Sequence, residues 1–242
     1  MKKHIPNFIT SLNLAAGFAS IVFTFNGQLV TASWLILAAM VFDFLDGFSA
    51  RLLKAYSDIG KELDSLADVV SFGVAPAIII YQLISNSLVS SIPLFTDGLV
   101  IKSLAIQLIP VIMPVCAALR LAKFNIDTTQ TTSFRGLPTP ANALAVISVV
   151  IAGFYTDSSV IDSLTGSPVS LIIFTLVLSV LMVSRIPLLS LKTSNLKFRG
   201  NEGRYLLVAM VVIALAFLQL GAAPLIIPLY IIASLISLLI KI

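Results

Sequence analysis

The chain has 242 residues, of which 58% are hydrophobic and only 11% charged, with a mean hydropathy of +1.06. A soluble domain carries about 25% charged residues, so a soluble fold is excluded and an integral membrane protein is expected. The net charge of +4 and the isoelectric point near 9.3 reflect orientation in a bilayer, not affinity for nucleic acid. Cys116 is the single cysteine, which excludes an intramolecular disulfide; in its apolar run it reads as packing. No small-residue cleavage site follows a short apolar core at the N-terminus, so no removed signal peptide is expected.

A helix needs about 20 mainly apolar residues to cross a membrane, and nearly all of the chain divides into such pieces. Lys2, Lys3 and His4 form a basic interfacial start. Helix 1 is expected over about Asn7–Phe25, with a turn at Asn26-Gly27. Helix 2 covers about Leu29–Arg51. Helix 3 runs from near Gly60 to about Leu83 and should bend at Gly73 and Pro76, because proline removes a backbone donor. A polar connection, Ser85–Gly98, leads to helix 4, about Leu99–Leu121. A basic, Thr-rich loop reaches Arg135. Helix 5 opens at Pro138-Thr139-Pro140, where proline suits a first turn, and ends near Tyr155. Thr156–Ser167 is an acidic loop. Helix 6 covers about Pro168–Ile186, and a basic loop runs on to Arg204. Helices 7 and 8, about Tyr205–Leu220 and Ala222–Ile240, are an accessory hairpin broken at Gly221.

The fold class is therefore all-α: a polytopic membrane bundle of about eight transmembrane helices, one domain over residues 1–242, with a six-helix catalytic core over about 7–186. Eight crossings put both termini on one side. Lys2, Lys3, Arg51, Lys54, Lys61, Arg120, Lys123, Arg135, Arg185, Lys192, Lys197, Arg199, Arg204 and Lys241 share that side, and of the fifteen basic residues only Lys102 lies opposite. The positive-inside rule makes the shared side cytoplasmic, so the protein is expected in the cytoplasmic (inner) membrane.

Chemistry concentrates in Asp43–Asp68, DFLDGFSARLLKAYSDIGKELDSLAD. A charge at a membrane helix centre costs about 2.5–3.5 kcal/mol even on the gentler insertion scale and marks function by default. Asp43 and Asp46 are three apart and share a helix face. Gly60, Asp64 and Asp68 are four apart and line the face of a second helix. Two helices joined by a short turn can aim both faces at one point. Carboxylates gathered there suit a hard cation, Mg²⁺, Mn²⁺ or Ca²⁺. Gly47 and Ala50 lie on the face of Asp43 and Asp46 and leave room for a ligand. Arg51 offers a forked cation suited to phosphate. Together these suggest a phosphorylated, flat ligand such as a nucleotide. The competing reading is a set of buried carboxylates paired with Arg51, Lys54 and Lys61.

This spacing resembles the signature of the CDP-alcohol phosphotransferase family, with Asp43, Asp46, Gly47, Ala50, Arg51, Gly60, Asp64 and Asp68 at every specified position. The resemblance implies transfer of a phosphatidyl-type group from a CDP-linked lipid, or of a phosphobase from a CDP-alcohol, to an acceptor hydroxyl, with CMP leaving. It implies metal ligation by Asp43, Asp46, Asp64 and Asp68, two divalent ions, and Asp68 as catalytic base. Gly47, Ala50, Arg51 and Gly60 would face the CDP group. Asn7 and Thr10, in PNFIT, resemble the polar helix start that completes the nucleotide pocket; the pair is also ordinary helix-start chemistry.

Three further blocks, VVSFGVAPA after Asp68, ALRLAKFN (Ala118–Asn125) and FRGLPTPAN (Phe134–Asn142), resemble the phosphatidylserine synthase branch. Lys123 stands where arginine is more usual there. Val69, where phosphatidylglycerolphosphate synthases carry lysine, points away from that branch. The resemblance thus implies CDP-diacylglycerol and L-serine as substrates, membrane lipids as surroundings, and a homodimer. Arg120, Lys123 and Arg135 can take the serine carboxylate or a lipid phosphate, and Asn125 the amino-acid head; the same cations also suit plain anchoring to anionic headgroups. Within the family, inositol phosphate, glycerol phosphate or an archaeal-type ether lipid are alternatives. A cation transporter is the reading from outside it; against that, the acids cluster at one mouth and no internal repeat is visible.

Overall fold

The computed structural model describes residues 4–91, 104–126, 134–189 and 201–239. The expected connections at 92–103, 127–133 and 190–200, the first residues of helix 4 and the terminal lysines lie outside them.

α1 (His4–Phe25) and α2 (Leu29–Leu52) form an antiparallel pair. The turn between them uses Gly27 at φ 75°. α1 buries a small and polar face, Thr10, Asn13, Gly17, Ser20 and Thr24, which lets neighbouring helices approach closely. α3 (Asp58–Asp68) starts two residues earlier than expected because Ser57 is its N-cap, with Oγ accepting from the Gly60 N–H at 3.1 Å. Such a cap satisfies one otherwise orphaned donor.

The expected bend at Gly73 and Pro76 is a different device. α3 passes into a π-helical turn, Val69–Val74, and then into α4 (Ala75–Ser91). Pro76 has no N–H for the carbonyl of Phe72, four residues back. Asn142 fills that gap, its Nδ2 donating to Phe72 O at 3.1 Å. Gly73 packs against Pro114 and Ala117, where an added Cβ would meet the Cβ of Ala117 at 3.0 Å. α4 also outlasts its expected end near Leu83, continuing through Asn86 and Ser87 to Ser91.

A helical run from Leu104 turns 3₁₀ at Ile109–Val111, at Pro110, and continues as α5 (Ile112–Ile126). α6 (Thr139–Tyr155) is buried on nearly every side. The acidic loop expected at Thr156–Ser167 contains a short helix, α7 (Ser159–Gly166), set at 91° to α8 (Pro168–Val183). Its Ile161 seats against Gly153 of α6. α9 (Glu202–Leu218) and α10 (Ile226–Leu239) are joined by a 3₁₀ stretch, Gln219–Leu225. Gly203 at the start of α9 lies against Ser237 near the end of α10, so the two form the expected hairpin.

Five helical runs among the described residues are long and apolar enough to cross a membrane, six if the bent α7–α8 pair is one span. The sequence suggested eight. α9 and α10 pass together as one run, Glu202–Leu239, and the rest of the difference lies in α6 and α8, which have 17 and 16 residues. At 1.5 Å per residue they fall short of a hydrocarbon core about 30 Å thick. One core, centred on Phe72, Ile36, Ile79, Met113 and Ile147, unites the helices, and Cys116 is packed within it.

The only sheet among the described residues is a two-residue ribbon. β1 (Phe134–Arg135) pairs antiparallel with β2 (Pro187–Leu188). Gly136 follows at φ 77°, and its N–H donates to Ile186 O at 2.9 Å. A Cβ there would sit 2.6 Å from Met182 O and 2.8 Å from Ser184 O. The FRGLP loop is thus sealed onto the C-terminal carbonyls of α8 in a conformation open to glycine. Gly136→Ala is expected to cost roughly 1–3 kcal/mol and to lower the melting temperature in detergent, read by thermal unfolding; a variant melting with the unmodified protein would contradict the packing.

Candidate active site

α1, α2 and α3 converge on the aspartates. Asp43 on α2 and Asp64 and Asp68 on α3 each offer a carboxylate oxygen, and these oxygens lie within 4.8 Å of one another. Asp43 and Asp64 approach within hydrogen-bonding range. Asp46 is one helical turn from Asp43, close enough to repel Asp43, Asp64 and Asp68. It is only 5% exposed, and Asp68 7%. Two like charges at that distance repel by roughly 3 kcal/mol at an effective dielectric near 20. The cluster therefore calls for positive charge at its centre.

The observation that tests this is Asp64 Oδ1, buried with no hydrogen-bond partner among the described residues. A buried orphan acceptor costs on the order of 1–3 kcal/mol and fits a missing cation ligand. The donor set is all oxygen, which suits a hard divalent ion. The competing arrangement, acids paired with Arg51 and Lys61, does not account for where those cations go. Arg51 Nε donates to Gly47 O at 3.0 Å, and Lys61 Nζ donates to Asn125 O at 2.9 Å.

α1 supplies polar support. Thr10 Oγ1 donates to Asp46 Oδ2 at 2.6 Å. Asn13 Nδ2 donates to Asp68 Oδ1 at 3.3 Å, and Asn13 O accepts from Ser71 Oγ at 3.0 Å. Asn13 is fully buried and sequence reasoning passed over it. Its signal was available: Asn7, Thr10 and Asn13 recur every three residues along an apolar helix.

The small residues of the signature divide. A Cβ on Gly47 would meet nothing within 4 Å, so no neighbouring protein atom requires glycine there. Gly60 is different. Asn7 Oδ1 and Ser57 Oγ would stand 2.9 and 3.0 Å from its Cβ, so its smallness is taken up by Asn7 instead of facing open space. Ala50 is half-buried and Arg51 exposed beside Gly47.

Of the acceptor-side candidates, Arg120 on α5 comes nearest the cluster. It is half-buried, lies within electrostatic range of Asp68 and Tyr230, and its Nε is buried without a partner among the described residues. Lys123 is exposed. Asn125 Nδ2 donates to Ser65 Oγ at 2.8 Å and ties α5 to α3. Arg135 belongs to β1 by its backbone; its side chain lies outside the described residues.

A family model described as CDP-alcohol phosphatidyltransferase matches residues 3–192. The chain belongs to the CDP-alcohol phosphatidyltransferase family. It is 36% identical over 157 residues to the archaetidylserine synthase of Methanothermobacter thermautotrophicus, 64% of this chain and 61% of that one. It is 36% identical over 203 residues to a CDP-diacylglycerol–serine O-phosphatidyltransferase of Mycobacterium leprae, 78% of this chain and 59% of that one. To the Helicobacter pylori protein of the same name it is 34% identical over 218 residues, 88% of this chain and 81% of that one. The chain thus spans about three fifths of the length of the first two.

Titrating Mn²⁺ and following its paramagnetic resonance tests the cluster. Thr10→Val should weaken binding by about 10–100-fold, the usual effect of removing a ligand's hydrogen-bond partner, and Asp64→Asn by more. In chelator, where only repulsion is lost, Asp64→Asn should melt no lower than the unmodified protein. Undiminished Mn²⁺ affinity in Asp64→Asn would show that the cluster is not the metal site.

Proposed function

We propose that this protein is a CDP-diacylglycerol–serine O-phosphatidyltransferase, converting CDP-diacylglycerol and L-serine to phosphatidylserine and CMP. The observation that carries the reading is the convergence of Asp43, Asp64 and Asp68 from two helices, with Asp46 beside them. The names of the relatives supply the serine acceptor, and the archaeal one keeps the ether-lipid version in view.

Asp43, Asp46, Asp64 and Asp68 would hold Mg²⁺ or Mn²⁺, as two ions, on the cytoplasmic side of the inner membrane. When bound, a divalent cation neutralises the diphosphate and the charge gathering on departing CMP. Gly47 and Ala50 give the CDP group a close approach to the backbone of α2, and Arg51 stands by for phosphate. Thr10 and Asn13 hold Asp46 and Asp68 in fixed rotamers, so the acids need not reorganise as charge moves. Asp68 takes the proton from the serine hydroxyl. The hydroxyl oxygen forms a bond to the lipid-side phosphorus, and the bond from that phosphorus to the CMP oxygen breaks. Arg120, one side chain from Asp68, receives the serine carboxylate. A homodimer carries this chemistry once per protomer, since every ligand named comes from one chain.

CMP release by the purified protein with CDP-diacylglycerol should depend on both L-serine and a divalent metal, and Asp68→Asn should lose at least about a thousandfold, in keeping with the combined loss of a base and a ligand. A panel of alcohols discriminates the alternatives. Release with glycerol 3-phosphate or inositol phosphate but not serine would overturn the reading.

A further inference from the structure

The α9–α10 hairpin lies beyond the residues that match the family model, which end at 192, yet it reaches the acceptor side of the site. Besides the packing of Gln219–Leu225 against α6, it is attached at Leu189, the residue after β2. Tyr230 Oη on α10 donates to Leu189 O at 2.9 Å, and Ser234 Oγ accepts from the Leu189 N–H at 3.1 Å. The Leu189 side chain fills the hollow at Gly203, where a Cβ would stand 2.5 Å from its Cδ1. Both backbone groups and the side chain of one residue are thus held by the hairpin. β2 in turn pairs with β1, so the grip on Leu189 extends through Leu188 and Pro187 to Phe134 and Arg135.

Tyr230 does a second thing. It is 5% exposed, and its ring oxygen lies within electrostatic range of Arg120. Arg120 is the cation next to Asp68, with Nε unpartnered among the described residues. A phenol that donates its proton to a carbonyl keeps its lone pairs for accepting, and Arg120 is a cation within electrostatic range of it. Tyr230 therefore connects three things: the hairpin, the ribbon that carries Arg135, and Arg120.

We infer that Tyr230 is a positioning residue for the acceptor pocket: anchored through Leu189 on one side, it fixes Arg120, the cation that receives the acceptor's carboxylate, on the other. The hairpin is thus part of acceptor recognition and not of the CDP-lipid half of the site, whose ligands all come from α1, α2 and α3. This rests on the serine reading above. It requires the hydroxyl of Tyr230 specifically, since a phenylalanine fills the same volume.

The test is steady-state CMP release with serine and CDP-diacylglycerol varied separately, on the full chain and on Tyr230→Phe, Arg120→Lys and their double variant. Loss of one buried hydrogen bond to an orienting group corresponds to about a five- to tenfold effect. Tyr230→Phe should raise the KM for serine by that factor, with the KM for CDP-diacylglycerol unmoved. Arg120→Lys should do the same, and the double variant should fall well short of the product of the two, the mark of residues acting as one unit. Ser234→Ala, which loses a contact to Leu189 but none to Arg120, should lower thermal stability without this non-additivity toward Arg120→Lys. Equal changes in both KM values, an unchanged serine KM, or multiplicative effects in the double variant would overturn the inference while leaving the proposed reaction standing. Absence of serine-dependent release from the unmodified chain would overturn both.

Discussion

Four carboxylates share a small volume inside an apolar bundle, and that repulsion is the constraint around which the rest is arranged. Left to themselves the acids would push α2 and α3 apart. The structure spends its few buried polar groups on preventing this. Thr10 and Asn13 reach from α1 to Asp46 and Asp68, and Ser71 ties the π-helical turn after α3 to α1. What α1 cannot provide is charge. Asp64 Oδ1 has no hydrogen-bond partner among the described residues, and the oxygens gathered beside it could hold a cation. A cation held there would bear on both the packing of α1, α2 and α3 and the proposed chemistry.

Much of this was legible in the sequence, for a specific reason. Charged residues are so costly in apolar helices that their spacing carries nearly all the information about the site. Asp43 with Asp46, and Asp64 with Asp68, at helical intervals fix which faces meet, and the structure brings three of the four together as that spacing requires. Glycine positions were less legible because one letter serves two physical needs. Gly47 leaves open space, whereas Gly60 makes room for Asn7, and spacing alone does not separate these. Asn13 was missed because the polar start of helix 1, as the resemblance marks it, ends at Thr10, while Asn13 stands three residues further along the same helix.

The short elements were the least readable. α7 lies in a stretch whose Asp, Ser and Thr content signals a loop, yet Val160, Ile161 and Leu164 give it an apolar side, and Ile161 anchors it to α6. The ribbon of β1 and β2 pairs Phe134 with Leu188 and Arg135 with Pro187, 54 and 52 positions apart in sequence, so no local pattern could announce it. The number of crossings is harder to read than the helices themselves: Thr139–Tyr155 and Pro168–Val183 sit where the apolar runs place them, yet each is short of a full span.

The π-helical turn after Asp68 has a consequence for how one rod serves two purposes. A wider turn shifts the phase of everything downstream relative to an ideal α-helix, which advances 100° per residue. Upstream, α3 is committed to presenting Gly60, Asp64 and Asp68 toward α1 and α2; downstream, α4 is committed to burying Ile79, Ile80 and Ile84. With the register reset between them, neither stripe has to be written in the periodicity of the other. The acidic half can keep its geometry fixed for chemistry while the greasy half drifts to suit whatever packs against it, as two gears do when a clutch sits on their common shaft.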